Sequence, residues 1–182
     1  MRWLRNNLGF ILFMVGMLAA RSSLADHYLV PSGSMEGTLF AGDRVVVDKR
    51  AYGVRLPFTL VRLSAGDAPA RGDVVVFDAP DDGTRLIKRI VAVGGDHLEV
   101  RGGHVYVDGV LRDDRAAVEL RQGGGPDVPA LVVPEDSVFV MGDFRGNSRD
   151  SRYFGVVRKD VIYARASRVY WRSGDGFVWK PL

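Results

Sequence analysis

Serine and lysine are the residues of this chain that can combine into a base-activated nucleophile. Cysteine is absent, which excludes thiol nucleophiles, disulfides and Cys-based metal sites. Three histidines, His27, His97 and His104, are scattered without ligand spacing or a recognisable catalytic context. Of the 25 basic residues only four are lysines: Lys49, Lys88, Lys159 and Lys180. Arginine stays protonated in any protein setting, whereas burial drives lysine towards neutrality. Lys49, Lys159 and Lys180 stand beside polar or terminal residues. Lys88 lies in Arg85–Val93 (RLIKRIVAV), where period-two alternation puts Leu86, Lys88 and Ile90 on one face of a strand. To serve as a base near pH 7, its pKa must fall by roughly 3 from about 10.4, at a cost of about 4 kcal/mol. An edge-strand lysine that blocks aggregation has the same local sequence.

The candidate nucleophile is Ser34, in Pro31–Leu39 (PSGSMEGTL). Pro31 fixes one backbone angle and Gly33 removes a side chain beside Ser34, so the hydroxyl and nearby amides can face an open cleft. Taken alone, the segment also reads as an ordinary Ser/Gly turn. It is not a G-x-S-x-G elbow, and no S-x-x-K spacing starts at Ser32 or Ser34. A third polar constellation runs from Met141 to Gly155 (MGDFRGNSRDSRYFG). It is either a solvated turn with surface ion pairs or a rigid loop whose Ser148 hydroxyl orients the amine. No metal site is supported: Asp78–Gly83 lacks the glutamate of a calcium loop.

These residues must be positioned by strands. The β-branched or aromatic runs Arg44–Asp48, Asp73–Phe77, Arg85–Val93, Val138–Met141 and Val169–Trp171 predict them. His97–Arg101, Gly102-Gly103 and His104–Val107 predict a hairpin. One helical turn is expected near Arg158–Ile162, and Arg121–Pro129 (RQGGGPDVP) reads as a mobile surface loop. The expected fold is mainly β, compact and antiparallel, with residues 97–135 forming a hairpin and loop insert.

At the N-terminus, Leu8–Ala20 is an uncharged run of 13 residues behind Arg2 and Arg5. Roughly 20 helical residues span a bilayer, so the expected anchor, residues 1–25, extends from Trp3 at one interface to Arg21 snorkelling at the other. A cleavable leader ending at Ser23-Leu24-Ala25 is the rival reading. Either way residues 26–182 are exported. The 182-residue length, 47% hydrophobic content and formal charge of +3 fit one domain, neither disordered nor built for nucleic acid.

Together the segments resemble type I signal peptidases, membrane-anchored serine endopeptidases that remove signal peptides from exported proteins. PSGSMEGTL is similar to the family's P-S-x-S-M-x-P-T-L. AGDRVVVDK, RGDVVVF at Arg71–Phe77 and LIKRIVAVGGD at Leu86–Asp96 are similar to the blocks that follow. MGDFRGNSRDSRYFGVV resembles the last, which usually reads GDNRDNSxDSRxxG. The resemblance implies a barrel-like antiparallel fold with one transmembrane helix in the cytoplasmic membrane. It implies Ser34 as nucleophile, Lys88 as general base, and the Ser34 amide with the Ser32 hydroxyl as oxyanion hole. Ser148 would bond the lysine, while Asp150 and Arg152 would shape its loop. The implied partners are membrane lipid and exported preproteins cut after small residues of the Ala-x-Ala type, with no cofactor, metal or nucleic acid. Gly37 stands where the family usually has proline, and Phe144 and Gly146 stand for Asn and Asp. These departures predict a looser turn after Ser34 and a less polar supporting loop. Tyr28, Leu29, Phe40 and Leu56-Pro57-Phe58 are candidates either for a surface dipping into the membrane interface or for core packing.

Overall fold

Valine-rich runs with few helix formers dictate sheets, and sheets are what the chain builds. The computed structural model describes residues 2–23, 25–53, 63–64, 66–113 and 118–182, with side chains outside 2–6 and 18–25. After helix α1 (Arg2–Ser23) come β1 (Ala25–Leu29), β2 (Arg44–Asp48), β3 (Val74–Asp78) and β4 (Arg85–Val93). There follow β5 (His97–Arg101), β6 (His104–Val107), β7 (Val110–Leu111), β8 (Val128–Val132) and β9 (Ser137–Met141). Helix α2 (Ser151–Phe154), β10 (Val157–Arg158), β11 (Ile162–Arg172) and β12 (Gly176–Pro181) complete the order.

Eight strands form one sheet in the order β1-β2-β11-β3-β4-β9-β10, with β12 paired to β11. Four form a second, in the order β7-β6-β5-β8. Every strand pairing is antiparallel. One apolar cluster packs Val30, Met35 and Leu39 against Val45, Val76 and Ile87. A second gathers Val75, Phe77, Ile90 and Val140. The third joins the two sheets through Leu98, Val100, Phe139 and Met141. β4 is buried on both faces from Ile87 to Ala92.

The β4 bounds and the β5–β6 hairpin fall where the sequence puts them. The single helical turn near Arg158–Ile162 does not form: β10 and a turn occupy it. Val157 is buried and pairs with Val138, so tertiary pairing outweighs a weak helical signal. Between Leu8 and Met17 helix α1 is apolar on every side, with Leu8, Phe10, Leu12, Phe13, Val15 and Met17 exposed. Yet among the described residues no helix is long and apolar enough to cross a membrane. The apolar run Leu8–Ala20 spans only 13 residues, about 20 Å of helix, against a hydrocarbon core of about 30 Å. Trp3, Arg21 and the Ser23-Leu24-Ala25 side chains lie outside the described residues, as does Leu56-Pro57-Phe58. Leu29 and Phe40 are exposed, while Tyr28 packs at the edge of the first cluster.

Candidate active site

β4 carries Lys88 opposite Val75 of β3, and its side chain is only 2% exposed. Burial pulls the Lys88 amine down to about 8; Asp150 and Asp143 push the other way, and Arg152 adds a smaller downward effect. The apolar setting read from strand alternation is therefore real, and burial of this depth excludes a solvent-facing lysine that guards a strand edge.

Ser34 lies in a short 3-10 turn, Gly33–Met35, before β2. Met35 and Leu39 are fully buried in the first apolar cluster and pin this loop to the core. Ser34, 7% exposed, is thereby held against β4: Lys88 Nζ donates to Ser34 Oγ at 2.5 Å. The two residues are 54 positions apart, and nothing but the fold brings them together. Ser32 is exposed, and its hydroxyl donates to Ser34 Oγ at a long 3.4 Å.

Asp150 organises the loop that follows β9. It caps α2, accepting the Arg152 N–H at 3.2 Å, and is fully buried. It also accepts from Gly142 N–H at 2.9 Å, Ser148 Oγ at 2.7 Å, and Arg152 Nε and Nη2 at 2.8 and 2.9 Å. The Ser148 hydroxyl proton is thus directed at Asp150 rather than into a bond with Lys88, leaving the oxygen free to accept. Gly142 has to be glycine, since a Cβ there would lie 2.3 Å from Ser148 Oγ and 2.4 Å from the Ser34 carbonyl.

A second buried ion pair was not foreseen. Arg89 Nε and Nη2 donate to Asp143 at 2.9 and 2.7 Å, and Thr38 Oγ1 donates to the same carboxylate at 2.6 Å. Arg89 also reaches Gly72 O at 2.9 Å. This cluster ties β4, the nucleophile loop and the β9 loop together, helped by Phe144 N–H donating to Ser34 O at 3.2 Å. Its sequence signal was available: Arg89 follows Lys88 in Leu86–Val93, a stretch otherwise apolar, and a buried guanidinium demands a carboxylate.

The departures have specific structural reasons. Gly37 takes φ +99°, which proline cannot adopt, and Thr38 N–H and Leu39 N–H close onto Met35 O at 3.1 and 2.8 Å. The turn is reshaped rather than loosened. Phe144 is 1% exposed beneath the Arg121 guanidinium. Gly146 admits the Gln122 backbone, whose carbonyl oxygen would stand 2.3 Å from a Cβ at that position. Arg121–Pro129, expected to be a mobile loop, is instead tied down at several points and enters β8 at Val128. Asp127 accepts the Gly102 N–H at 2.7 Å, and Arg152 Nη1 donates to Gly124 O. Among the described residues no group of three or more His, Asp or Glu could hold a metal ion.

A dehydrated amine held against a hydroxyl on an antiparallel β scaffold is an arrangement open to the hydrolases that act through an activated nucleophile. The family described as "Signal peptidase, peptidase S26" matches residues 1–171, and the chain belongs to it. "Probable signal peptidase I-2" of Synechocystis is 32% identical over 93% of this chain and 73% of its own length. "Probable signal peptidase I-1" of the same organism is 36% identical over 85% of this chain and 77% of its own. "Signal peptidase I" of Pseudomonas aeruginosa is 34% identical over 84% of this chain and 63% of its own. The protein is accordingly a signal peptidase of the S26 family.

Proposed function

We propose that the chain removes signal peptides with a Ser34–Lys88 dyad, cutting exported preproteins after small residues in an Ala-x-Ala pattern. The observation that carries this reading is the 2.5 Å contact between a buried amine and Ser34 Oγ. The neutral Lys88 amine takes the Ser34 hydroxyl proton as Oγ bonds to the carbonyl carbon. The oxyanion is met by the Ser34 N–H and the Ser32 hydroxyl, donors of a kind worth about 3 kcal/mol each. The protonated amine then gives its proton to the leaving nitrogen as the C–N bond breaks. Water, deprotonated by the same amine, hydrolyses the acyl-enzyme. Ser148 accepts from Lys88 and fixes its direction, while Asp150 and Arg152 hold Ser148.

The sheet supports an extended substrate. β9 pairs with β4 only from Arg89 onward, so on that side Arg85–Lys88 has no strand partner among the described residues. A peptide laid there adds main-chain hydrogen bonds and ends beside Ser34. α1 is the candidate anchor: its apolar run alone is too short to span, but the full 22 residues reach about 33 Å if the polar turns at both ends lie among the headgroups. It would be held in the cytoplasmic membrane with Arg2 and Arg5 inside and residues 26–182 outside.

The test is cleavage of an Ala-x-Ala preprotein in detergent by the full chain. Ser34→Ala and Lys88→Ala should each lower the rate by at least about a thousandfold with folding retained. Substantial cleavage by Lys88→Ala would sink the dyad.

A further inference from the structure

Glu36 stands two residues past the proposed nucleophile, and its side chain turns back over Gly33. A Cβ on Gly33 would lie 2.3 Å from Glu36 Oε1, so the carboxylate occupies the space that the glycine leaves between Ser32 and Ser34. Those two residues are the proposed oxyanion donors. An uncompensated carboxylate beside them would oppose the negative charge that develops on the substrate carbonyl.

The counter-charge comes from far along the chain. Arg121 Nη2 donates to Glu36 Oε2 across 85 positions. The segment that carries Arg121 is fastened to the loop after β9. Glu119 N–H donates to Asp143 O at 2.8 Å, Arg145 N–H to Glu119 O at 3.0 Å, and Glu119 forms a parallel bridge with Phe144. Glu119 Oε1 accepts the Arg121 N–H at 2.8 Å. The guanidinium lies 4.5 Å from the Phe144 ring centroid, a platform that orients a planar cation. Gly146 leaves room for Gln122, the next residue of the segment. Two of the three departures from the family pattern therefore form the seat of the strap that delivers Arg121.

We propose that Arg121 is a positioning residue for the peptidase reaction, one that neutralises Glu36 and so keeps the oxyanion hole electrostatically open. The inference rests on Ser34 being the nucleophile. Glu36 is largely covered and Arg121 about half exposed, with side chains 24% and 55% accessible. Solvent therefore screens the pair, and its effect should be modest.

The experiment measures kcat and KM for preprotein cleavage, with thermal unfolding, for the full-length parent, Arg121→Gln, Arg121→Lys and Arg121→Gln/Glu36→Gln. Arg121→Gln should lower kcat by about fivefold with KM little changed, the scale of a partly exposed pair. That deficit should shrink as salt is raised. Adding Glu36→Gln should restore most of the lost kcat, because the offending charge has gone. Arg121→Lys should keep most of kcat even if it lowers Tm, which also guards against Arg121→Gln failing to fold. A double variant no faster than Arg121→Gln would overturn the proposal, reducing Arg121 to a structural tether. A rise in KM at unchanged kcat would overturn it too, making Arg121 a substrate contact. Ser34→Ala, assayed alongside, separates the two readings: cleavage retained there sinks the nucleophile itself, whatever Arg121 does.

Discussion

The strand side and the loop side of the site are held by different forces. Lys88 is placed by sheet register: β3 on one edge, β9 taking over the other from Arg89, and apolar residues on both faces of β4. Many small contributions fix it, and each is replaceable. Ser148 sits on a loop held to β9 by side-chain hydrogen bonds, Val140 N–H to Ser151 Oγ at 3.0 Å and Gly142 N–H to Asp150 at 2.9 Å, rather than by strand pairing. Its geometry depends on Asp150, which alone gathers a cap, a hydroxyl, a backbone amide and a guanidinium. Distributed packing tolerates trimming, whereas a concentrated buried charge does not. The two sides should therefore fail differently.

The largest expected effect lies on the loop. Asp150→Ala strands Arg152, whose side chain is fully buried, and should cost about 3–5 kcal/mol in denaturant unfolding. Val75→Ala, opposite Lys88 on the strand side, should cost roughly 2 kcal/mol by opening a small cavity. Equal losses from the two would erase the contrast.

Restoring the family's residues should hurt rather than help. Gly146→Asp drives a side chain into the Gln122 carbonyl, and Gly37→Pro demands φ near −65° where the chain has +99°. Each should lose about 2–3 kcal/mol, Gly37→Pro with a fall in activity as the turn after Ser34 is rebuilt. A Tm at or above the parent's for either variant would show that these positions are free to vary.

The same division explains what could be read from the sequence. β4 was legible to the residue because period two and β-branched content both report a strand, and Lys88 stood out as a lysine among aliphatics. Ser34 and Ser148 stood as candidates beside equally ordinary turn readings, and Asp150 and Arg152 gained roles only through resemblance, since no local pattern says which charges of a polar loop are buried together. Arg89 with Asp143 escaped for that reason, although they lock three segments together. β1, β8 and β12 escaped because ADHYL, VPALV and GFVWKP carry proline, glycine or charge that masks alternation. Seating of Arg121–Pro129 was hidden because glycine signals a turn equally well where it lets backbones touch.

Charges on the loop should tune the amine on the strand. The rate should rise with pH through about 8, as Lys88 loses its proton. Asp150 raises that value and Arg152 lowers it. In variants that fold, Asp150→Asn should move the acid limb of kcat/KM to lower pH and Arg152→Gln to higher pH. Limbs that do not move in opposite directions would mean that the loop supports Lys88 by shape alone.

The smallest effect tests what the strand side gives up for its chemistry. Folding carries the Lys88 pKa from 10.5 down to about 8, so the folded state disfavours the charged amine. Between these values the unfolded chain binds a proton that the folded chain does not, and the parent's stability rises with pH. Below about 8 both states are protonated and the whole penalty is present. Lys88→Met removes the charge at similar volume and forfeits the bond to Ser34, worth about 1 kcal/mol. It should be about 2 kcal/mol more stable than the parent at pH 7, with the gap closing as pH climbs from 8 towards 10.5. Unfolding curves for both proteins at several pH values read this difference directly, because every other titrating group cancels. A gap that stays flat or widens with pH would mean that Lys88 is not held in the folded protein as a dehydrated, reluctantly charged amine.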